Sequence, residues 1–173
     1  MNEGRLNRGG RSFQPEQDYE SELALVVGRA ADGVNESDAL DYVAGFTVAN
    51  DVRARRLQFV EMQAGGGSCA GKNVRTFGPL GPYLVTFDEI PDPTCLHVWS
   101  RANGEMRQDA WTTDMVFDIK KLIAWYSQIG LDVDDILMSG TPAGVAAGGK
   151  GCFSSLATRS NAAWTAWASS RIP

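Results

Sequence analysis

Two glutamates stand two residues apart at the start of an apolar run, in the stretch "DYESELALVVG" of residues 18–28. In a β-strand the side chains at i and i+2 point to the same face, so the carboxylates of Glu20 and Glu22 would lie side by side. Two carboxylates that close repel each other unless a proton or a cation lies between them. Carboxylate oxygens suit a hard divalent ion such as Mg²⁺ or Mn²⁺, and Asp51, at the end of the next predicted strand, could be a third ligand.

The spacing of Glu20 and Glu22 also fits a solvent-facing strand surface, which is the commoner setting of an isolated E-x-E.

A second candidate for chemistry is "GGGSCAGKN", residues 65–73, where Gly66, Gly71 and Lys72 have the spacing of a phosphate-binding loop. Such a loop needs a helix after it, but Gly78-Pro79 and Gly81-Pro82 oppose one. Asn73 also lacks the hydroxyl that would hold Mg²⁺, so a nucleotide site is disfavoured and the role of Lys72 is open at this point.

Composition narrows the class of protein. The 173 residues are enough for one domain, and 16 Lys and Arg against 21 Asp and Glu give a net charge of −5, which disfavours nucleic acid as a partner. No apolar run approaches the ~20 residues of a membrane span, and the N-terminus lacks a signal-peptide core, so we expect a cytoplasmic protein with no membrane contact. Three scattered cysteines without a C-x-x-C pair predict neither a disulfide framework nor a zinc site.

The elements that must position these residues are mostly strands. Apolar and β-branched runs predict strands over 18–28, 46–51, 83–90, 96–109 and 135–144, with a hairpin turn at Asn103-Gly104. A helix is predicted over 118–130, capped by Asp118 and ended by Gly130, and a shorter one over 35–45, from Asn35 to Gly45. Residues 64–83 are predicted to be loop and residues 1–14 a disordered arm. The pattern is that of an α+β, mostly β fold rather than of alternating βαβ units.

Six segments together resemble the fumarylacetoacetate hydrolase family, in the family's order and over residues 18–148. They are "DYESELALVVG", "DYVAGFTVANDVRARRLQ", "GKNVRTFGPLGPYLVTFDEIPDP", "NGEMRQD", "TTDMVFDIKKLIAWYSQ" and "ILMSGTPAGV". The resemblance implies the family's mixed β-roll of barrel-like sheets with a few short helices. It places an incomplete catalytic core at residues 15–150.

The resemblance also implies roles for particular residues. The family's E-x-E and N-D-V motifs fall on Glu20, Glu22 and Asp51, which would hold Mg²⁺ or Mn²⁺. Its lysine falls on Lys72, which would act in catalysis and bind a substrate carboxylate or enolate. The T-P-x-G turn would bind substrate through Gly140 and Thr141. Two further residues match positions near the family's site: Arg55 and Gln58.

The activity implied is metal-dependent cleavage of a carbon–carbon bond in a small 2-oxo acid such as an acylpyruvate, through a stabilised enolate. Family members commonly form homodimers, and a homodimer is expected here. Two alternatives remain open at this point. The chain could be an isomerase or decarboxylase of the same family, or a catalytically inactive remnant of it.

The two ends of the chain depart from the family. Residues 1–17 resemble nothing in it, so the usual lid with its His–Glu pair is expected to be missing, and the only histidine, His97, is expected to be structural. Residues 151–173 lack family likeness and are expected to be an irregular tail. Reading the gene one base out of phase from about Gly151 can restore the family's P-G-D and G-L-G turns, which predicts a frameshifted tail that the coding DNA would test.

Overall fold

The computed structural model describes residues 16–67, 69–90 and 92–148 and the backbone of residues 160–165. Within these ranges the chain forms three small antiparallel sheets and two short helices, which confirms the mostly β fold, although the sheets are open and do not close into a barrel. The strands are β1 (Gln17–Asp18), β2 (Ser21–Val27), β3 (Val43–Asn50), β4 (Arg53–Ala54), β5 (His97–Ala102), β6 (Glu105–Trp111), β7 (Ile136–Met138) and β8 (Ser160–Thr165). The helices are α1 (Arg55–Gln63) and α2 (Ile119–Tyr126).

The central sheet has the order β3-β2-β7, with β2 paired antiparallel on both sides. Alternate residues of β2 face the apolar core, where Leu23, Leu25 and Val27 are almost fully buried. The intervening residues face the other side of the sheet, which leaves Glu20 and Glu22 on one common face. The pairing of Ser21 with Asn50 then brings the end of β3 beside the start of β2.

The hairpin of β5 and β6 turns at Asn103-Gly104, as predicted. Both residues have positive φ, 54° and 85°, which is the backbone that a two-residue hairpin turn of type I′ requires. The other edge of β5 pairs with β8, in the register Val98 to Trp164. Six residues of the segment expected to be irregular therefore form a strand. The arm expected at residues 1–14 lies outside the described residues.

Helix α2 confirms the strongest helix prediction. Its N-cap is Asp118, whose carboxylate accepts from the backbone N–H of Lys121 at 2.9 Å. Ile119 and Ile123 are buried in the core, and a 3-10 turn leads to Gly130, whose φ of 83° ends the helical segment. Across the described residues, we find no helix with the length and apolar character needed to cross a membrane.

The short helix predicted over residues 35–45 is wrong in its extent. Only a 3-10 turn forms, at Ala39–Tyr42, and β3 begins directly after it and runs through Gly45. A Cβ atom at Gly45 would lie 2.6 Å from the carbonyl oxygen of Val85. This glycine therefore permits close approach of two backbones and does not end a helix.

The strand predicted over residues 83–90 is also wrong. Val85 alone forms a β-bridge, with Phe46, through two backbone hydrogen bonds of 2.8 Å. The chain then turns over residues 87–89, while Tyr83 and Leu84 are exposed. An apolar run at the protein surface has no partner strand to extend the pairing, so the run stays a loop despite its composition.

Candidate metal centre

Three buried carboxylates meet where β2 begins and β3 ends. Glu20, Glu22 and Asp51 each offer one oxygen, and these oxygens all lie within 4.8 Å of one another. The backbone fixes the arrangement, because the N–H of Asp51 donates to the carbonyl of Glu20 at 2.8 Å. The N–H of Glu20 donates to the side-chain oxygen of Asn50 at 2.9 Å. The structure thus brings together the residues predicted to be ligands, and a set of three oxygen donors is what a hard divalent ion prefers.

The electrostatics of this cluster favour a cation or a proton among the carboxylates. Burial raises the pKa of Glu22 to about 7, a rise that the N–H of Gly140 opposes and the neighbouring Asp51 and Glu20 charges reinforce. Burial likewise raises the pKa of Glu20, although Arg53 and Arg55 act in the opposite direction. Because burial makes the charged form of each glutamate costly, a proton or a nearby cation stabilises both groups.

The turn expected to bind substrate holds the metal-site strand. The N–H of Gly140 donates to Glu22 Oε2 at 2.8 Å. The hydroxyl of Thr141 donates to the carbonyl of Ser21 at 3.0 Å and accepts from the side chain of Gln108 at 2.6 Å. Both groups are thus engaged with protein in this structure, and their role toward substrate stays a prediction.

Lys72 lies at the open side of the cluster. Its Nζ atom forms an ion pair with Asp51, while 36% of the side chain remains exposed. The turn that carries Lys72 is fastened to α1, because the carboxylate of Glu61 accepts from the N–H groups of Ala70 at 3.0 Å and Gly71 at 3.1 Å. This contact was not predicted from the sequence, since Glu61 lies in a segment for which no element was predicted.

Two arginines complete the site. Arg53 Nη2 lies 2.8 Å from Glu20 Oε2 and 3.6 Å from Asp51 Oδ2. Arg55 Nη2 lies 2.7 Å from Glu20 Oε1, and its Nη1 donates to Gln58 at 3.0 Å. Sequence reasoning placed Arg55 and Gln58 near the site but missed Arg53. The spacing was the available signal, because "RAR", which begins two residues after Asp51, repeats the i, i+2 pattern of "ESE".

Asp18 anchors this charged network and was missed as well. Its fully buried carboxylate accepts from Arg55 Nε at 2.8 Å and from the backbone N–H groups of Ala146 at 2.7 Å and Ala147 at 3.0 Å. Arg55 is therefore held between Asp18 and Glu20. Because its guanidinium is fixed from one side, it holds the Glu20 carboxylate in place from the other.

Gln108 links the hairpin to the site. Its buried side-chain oxygen accepts from the N–H of Ser21 at 3.0 Å and from the hydroxyl of Ser100 at 2.8 Å. Its amide nitrogen donates to Thr141 at 2.6 Å and to the carbonyl of Pro142 at 2.9 Å. One side chain thus joins β2, β5 and the turn after β7. The sequence placed Gln108 inside a family segment but gave it no role.

A cavity of about 320 Å³ lies near the site, and Glu20, Glu22 and Asp51 are not among the residues that line it. Its walls are mainly apolar and include Leu23, Val98 and Phe117, and it extends to Gly140 and Thr141. The side chain of Trp111, which also lines the cavity, stacks on His97 with ring centroids 4.9 Å apart. His97 contacts Asp109 at 2.5 Å and so belongs to the hairpin surface rather than to the carboxylate cluster.

The fold agrees with what comparison with known proteins shows. The family model described as "Fumarylacetoacetate (FAA) hydrolase C-terminal" matches residues 8–166. The chain therefore belongs to the fumarylacetoacetate hydrolase family. The match extends past residues 18–148 at both ends, into segments in which the sequence analysis found no family likeness.

Individual relatives give the same assignment. A Burkholderia multivorans protein that is named as a hydrolase is 45% identical over 132 residues. These residues are 76% of this chain and 46% of that protein. The fumarylacetoacetate hydrolase of Exiguobacterium antarcticum is 33% identical, with a TM-score of 0.80 over 86% of this chain and 52% of its own. The 5-carboxymethyl-2-hydroxymuconate delta-isomerase of Mycobacterium smegmatis is 35% identical, with a TM-score of 0.69 over 76% of this chain and 50% of its own. The chain thus spans about half the length of these relatives.

Proposed function

We propose that this chain is the metal-binding catalytic part of a hydrolase that cleaves a carbon–carbon bond in small 2-oxo acids such as acylpyruvates. The observation that supports this most directly is the set of three oxygens from Glu20, Glu22 and Asp51 within 4.8 Å of one another. The cluster lies within the residues that the family model matches, and the chain's relatives include hydrolases.

The donor set fits Mg²⁺ or Mn²⁺, because all three ligands are carboxylates, and the burial that raises the pKa of Glu22 makes its charged form costly without a cation beside it. Such an ion supplies Lewis acidity toward the negative charge that develops on an enolate. The choice between the two metals is not fixed by the donor atoms, since oxygen ligands serve both.

The residues of the chain have separable tasks in this proposal. Lys72 is the exposed cation beside Asp51, so its ammonium group would bind the carboxylate of the substrate and remain close to the enolate. The N–H of Gly140 orients Glu22, and Arg55 orients Glu20. Thr141 and Gly140 belong to the turn that would line the substrate pocket and bind the substrate. Burial of the three carboxylates excludes bulk water and strengthens each of these charged contacts.

An isomerase is the second candidate, and one observation favours it. The isomerase of M. smegmatis is as similar to this chain in sequence, at 35% identity, as the E. antarcticum hydrolase at 33%. Both reactions need a stabilised enolate, and a shared fold does not choose between them. Assays of the two reactions on the same preparation would distinguish them.

The test is metal-dependent release of pyruvate from a simple acylpyruvate, measured after removal of metal with a chelator and after addition of Mg²⁺ or Mn²⁺. We expect turnover only with metal, and a loss of at least about a hundredfold in Glu22→Gln. Glu105→Gln is the matched control, because the side chain of Glu105 is 70% exposed on the hairpin. The control should keep full activity.

Metal binding without any turnover, for both the hydrolase and the isomerase reaction, would support the inactive remnant instead.

We further propose that the chain associates as a homodimer, an assignment supported by the exposed apolar side chains of Phe59, Val60 and Met62 on α1. Light scattering of the purified chain measures this directly. The cytoplasmic location expected from the sequence stays a prediction.

A further inference from the structure

Arg53 contacts two of the three carboxylates that are proposed to hold the metal. Its Nη2 atom lies 2.8 Å from Glu20 Oε2 and 3.6 Å from Asp51 Oδ2. The side chain is only 15% exposed, and its Nε atom is buried without a hydrogen-bond partner. The carboxylates of Glu20 and Asp51 therefore hold the guanidinium at the cluster. Its Nε–H group makes no hydrogen bond in this position.

The other two cations of the site have different surroundings. Arg55 is fixed by Asp18 and Gln58 in addition to Glu20, so its position does not depend on the cluster alone. Lys72 contacts Asp51 from the open side and is partly exposed. Arg53 forms ion pairs with two of the proposed metal ligands, Glu20 and Asp51.

We propose that Arg53 is an internal cation that competes with the divalent ion for Glu20 and Asp51 and thereby sets the metal affinity of the site. This inference rests on the proposed metal centre. The oxygens that Arg53 engages belong to the same carboxylates that a metal requires, and a carboxylate oxygen held by a guanidinium is less available to an ion. A guanidinium and a divalent ion held a few ångströms apart in a buried site also repel each other strongly.

The charge count points the same way. Around the cluster, the carboxylates of Asp18, Glu20, Glu22 and Asp51 face the cations Arg53, Arg55 and Lys72. One net negative charge is left when all seven groups are ionised, and the addition of a divalent ion would reverse that sign. Binding of a divalent ion is therefore more favourable when the Arg53 guanidinium moves away from the carboxylates. The free energy needed to move the guanidinium lowers the affinity of the site for the ion.

A purely structural role for Arg53 predicts the opposite result. If the guanidinium only held Glu20 and Asp51 in position, its removal would let the carboxylates move apart and would weaken metal binding. A competitor, when removed, leaves the same oxygens free and strengthens binding. The sign of the change in affinity thus separates the two roles.

The experiment is a titration of the metal-free full chain with Mn²⁺ by isothermal calorimetry, with electron paramagnetic resonance as a second measure of free Mn²⁺. We expect Arg53→Gln to bind Mn²⁺ at least about tenfold more tightly than the wild type. Arg53→Lys keeps the charge but cannot span both carboxylates, so we expect a smaller gain, of about twofold to fivefold. It also serves as the test variant if the glutamine variant does not fold.

Arg101→Gln is the matched control, because Arg101 is exposed on β5, where it lies over the ring of Trp99, and its loss changes the net charge by the same amount. Its Mn²⁺ affinity should equal that of the wild type. Unchanged or weaker binding by both Arg53 variants overturns the inference and leaves the metal centre standing. Absence of Mn²⁺ binding in the wild type and in every variant overturns the metal centre itself, whereas loss of binding in Asp51→Asn places the bound ion at this cluster.

Discussion

The side-chain amide of Gln108 donates to the hydroxyl of Thr141 at 2.6 Å, and that hydroxyl donates in turn to the carbonyl of Ser21 at 3.0 Å. The chain of hydrogen bonds runs from the β5–β6 hairpin through the turn after β7 to the first residue of β2, which stands between the two glutamates. Ser21 stands between Glu20 and Glu22, so a residue of the hairpin fixes the backbone of the metal centre.

Replacement of Gln108 by Leu should destabilise the protein by about 2–4 kcal/mol, because the N–H of Ser21 and the hydroxyl of Ser100 would lose their buried acceptor. Urea unfolding followed by circular dichroism measures the change. Gln128→Leu is the control, since Gln128 is exposed and makes one hydrogen bond of 3.4 Å, and it should shift stability by less than about 0.5 kcal/mol. Equal effects of the two substitutions would contradict the role assigned to Gln108.

Replacement of Asp18 by Ala should cost about 3–5 kcal/mol of unfolding free energy, because it leaves the buried Arg55 without one of its two carboxylate partners. The N–H groups of Ala146 and Ala147 would lose their acceptor as well. Glu105→Ala breaks an ion pair of 2.6 Å with Arg107, but Glu105 is exposed, so its loss should cost at most about 1 kcal/mol. An Asp18→Ala protein as stable as that control would show that the buried network contributes little.

Glu22 should make the metal-free protein less stable as the pH rises. Its pKa in the folded state is about 7, above the ordinary value of 4.5, so between these two pH values the folded state binds more protons than the unfolded state. By linkage, the contribution of this group to the free energy of unfolding is fully present below pH 4.5 and is lost as the pH rises through about 7.

The measurement is thermal unfolding with a chelator present, at pH values from about 5 to 8. The Glu22→Gln variant cannot titrate at this position, so its stability should fall less steeply with pH than that of the wild type. Added Mn²⁺ should restore the wild type most strongly at the alkaline end, because the ion binds the deprotonated carboxylate. Parallel curves for wild type and variant would show that Glu22 does not titrate in this window.

Glu61 should control the order of the turn that carries Lys72. Replacement by Ala removes the acceptors of the Ala70 and Gly71 N–H groups, and we expect hydrogen exchange at these two amides to become at least about tenfold faster. Glu61→Gln keeps one acceptor oxygen and should have a smaller effect. Exposed Glu36 provides the control in Glu36→Ala, which should leave exchange at both amides unchanged. Undisturbed exchange in Glu61→Ala would show that the turn holds its shape without α1.

The sequence was sufficient to predict that the three carboxylates lie close together. The alternation of side chains along β2 places Glu20 and Glu22 on one face, and Asp51 follows the strand that pairs with β2. Local signals also identified the turn at Asn103-Gly104 and the cap of α2 at Asp118. In each case a few residues that are neighbours in the sequence determine the local backbone conformation.

Helix α1 could not be predicted from an apolar pattern because the pattern is inverted. The residues it buries are Arg55 and Gln58, which contact the carboxylate network, whereas Phe59, Val60 and Met62 are exposed. The ion pair of Asp18 with Arg55 joins residues 37 positions apart in the chain, so the residues around either one do not predict it. Polar networks of this kind become visible only when the fold places their members together.

The strict alternation along β2 makes this strand intolerant of any change in its length. Leu23 packs in the core while Glu22, its immediate neighbour, meets Asp51 on the reverse side. Insertion or deletion of a single codon between Ser21 and Leu25 would exchange the two faces, turning carboxylates toward the apolar core and leucines toward the carboxylate cluster. Genes of this lineage should therefore vary this stretch by substitution alone, and length differences should accumulate in the glycine-rich loop before Lys72 instead.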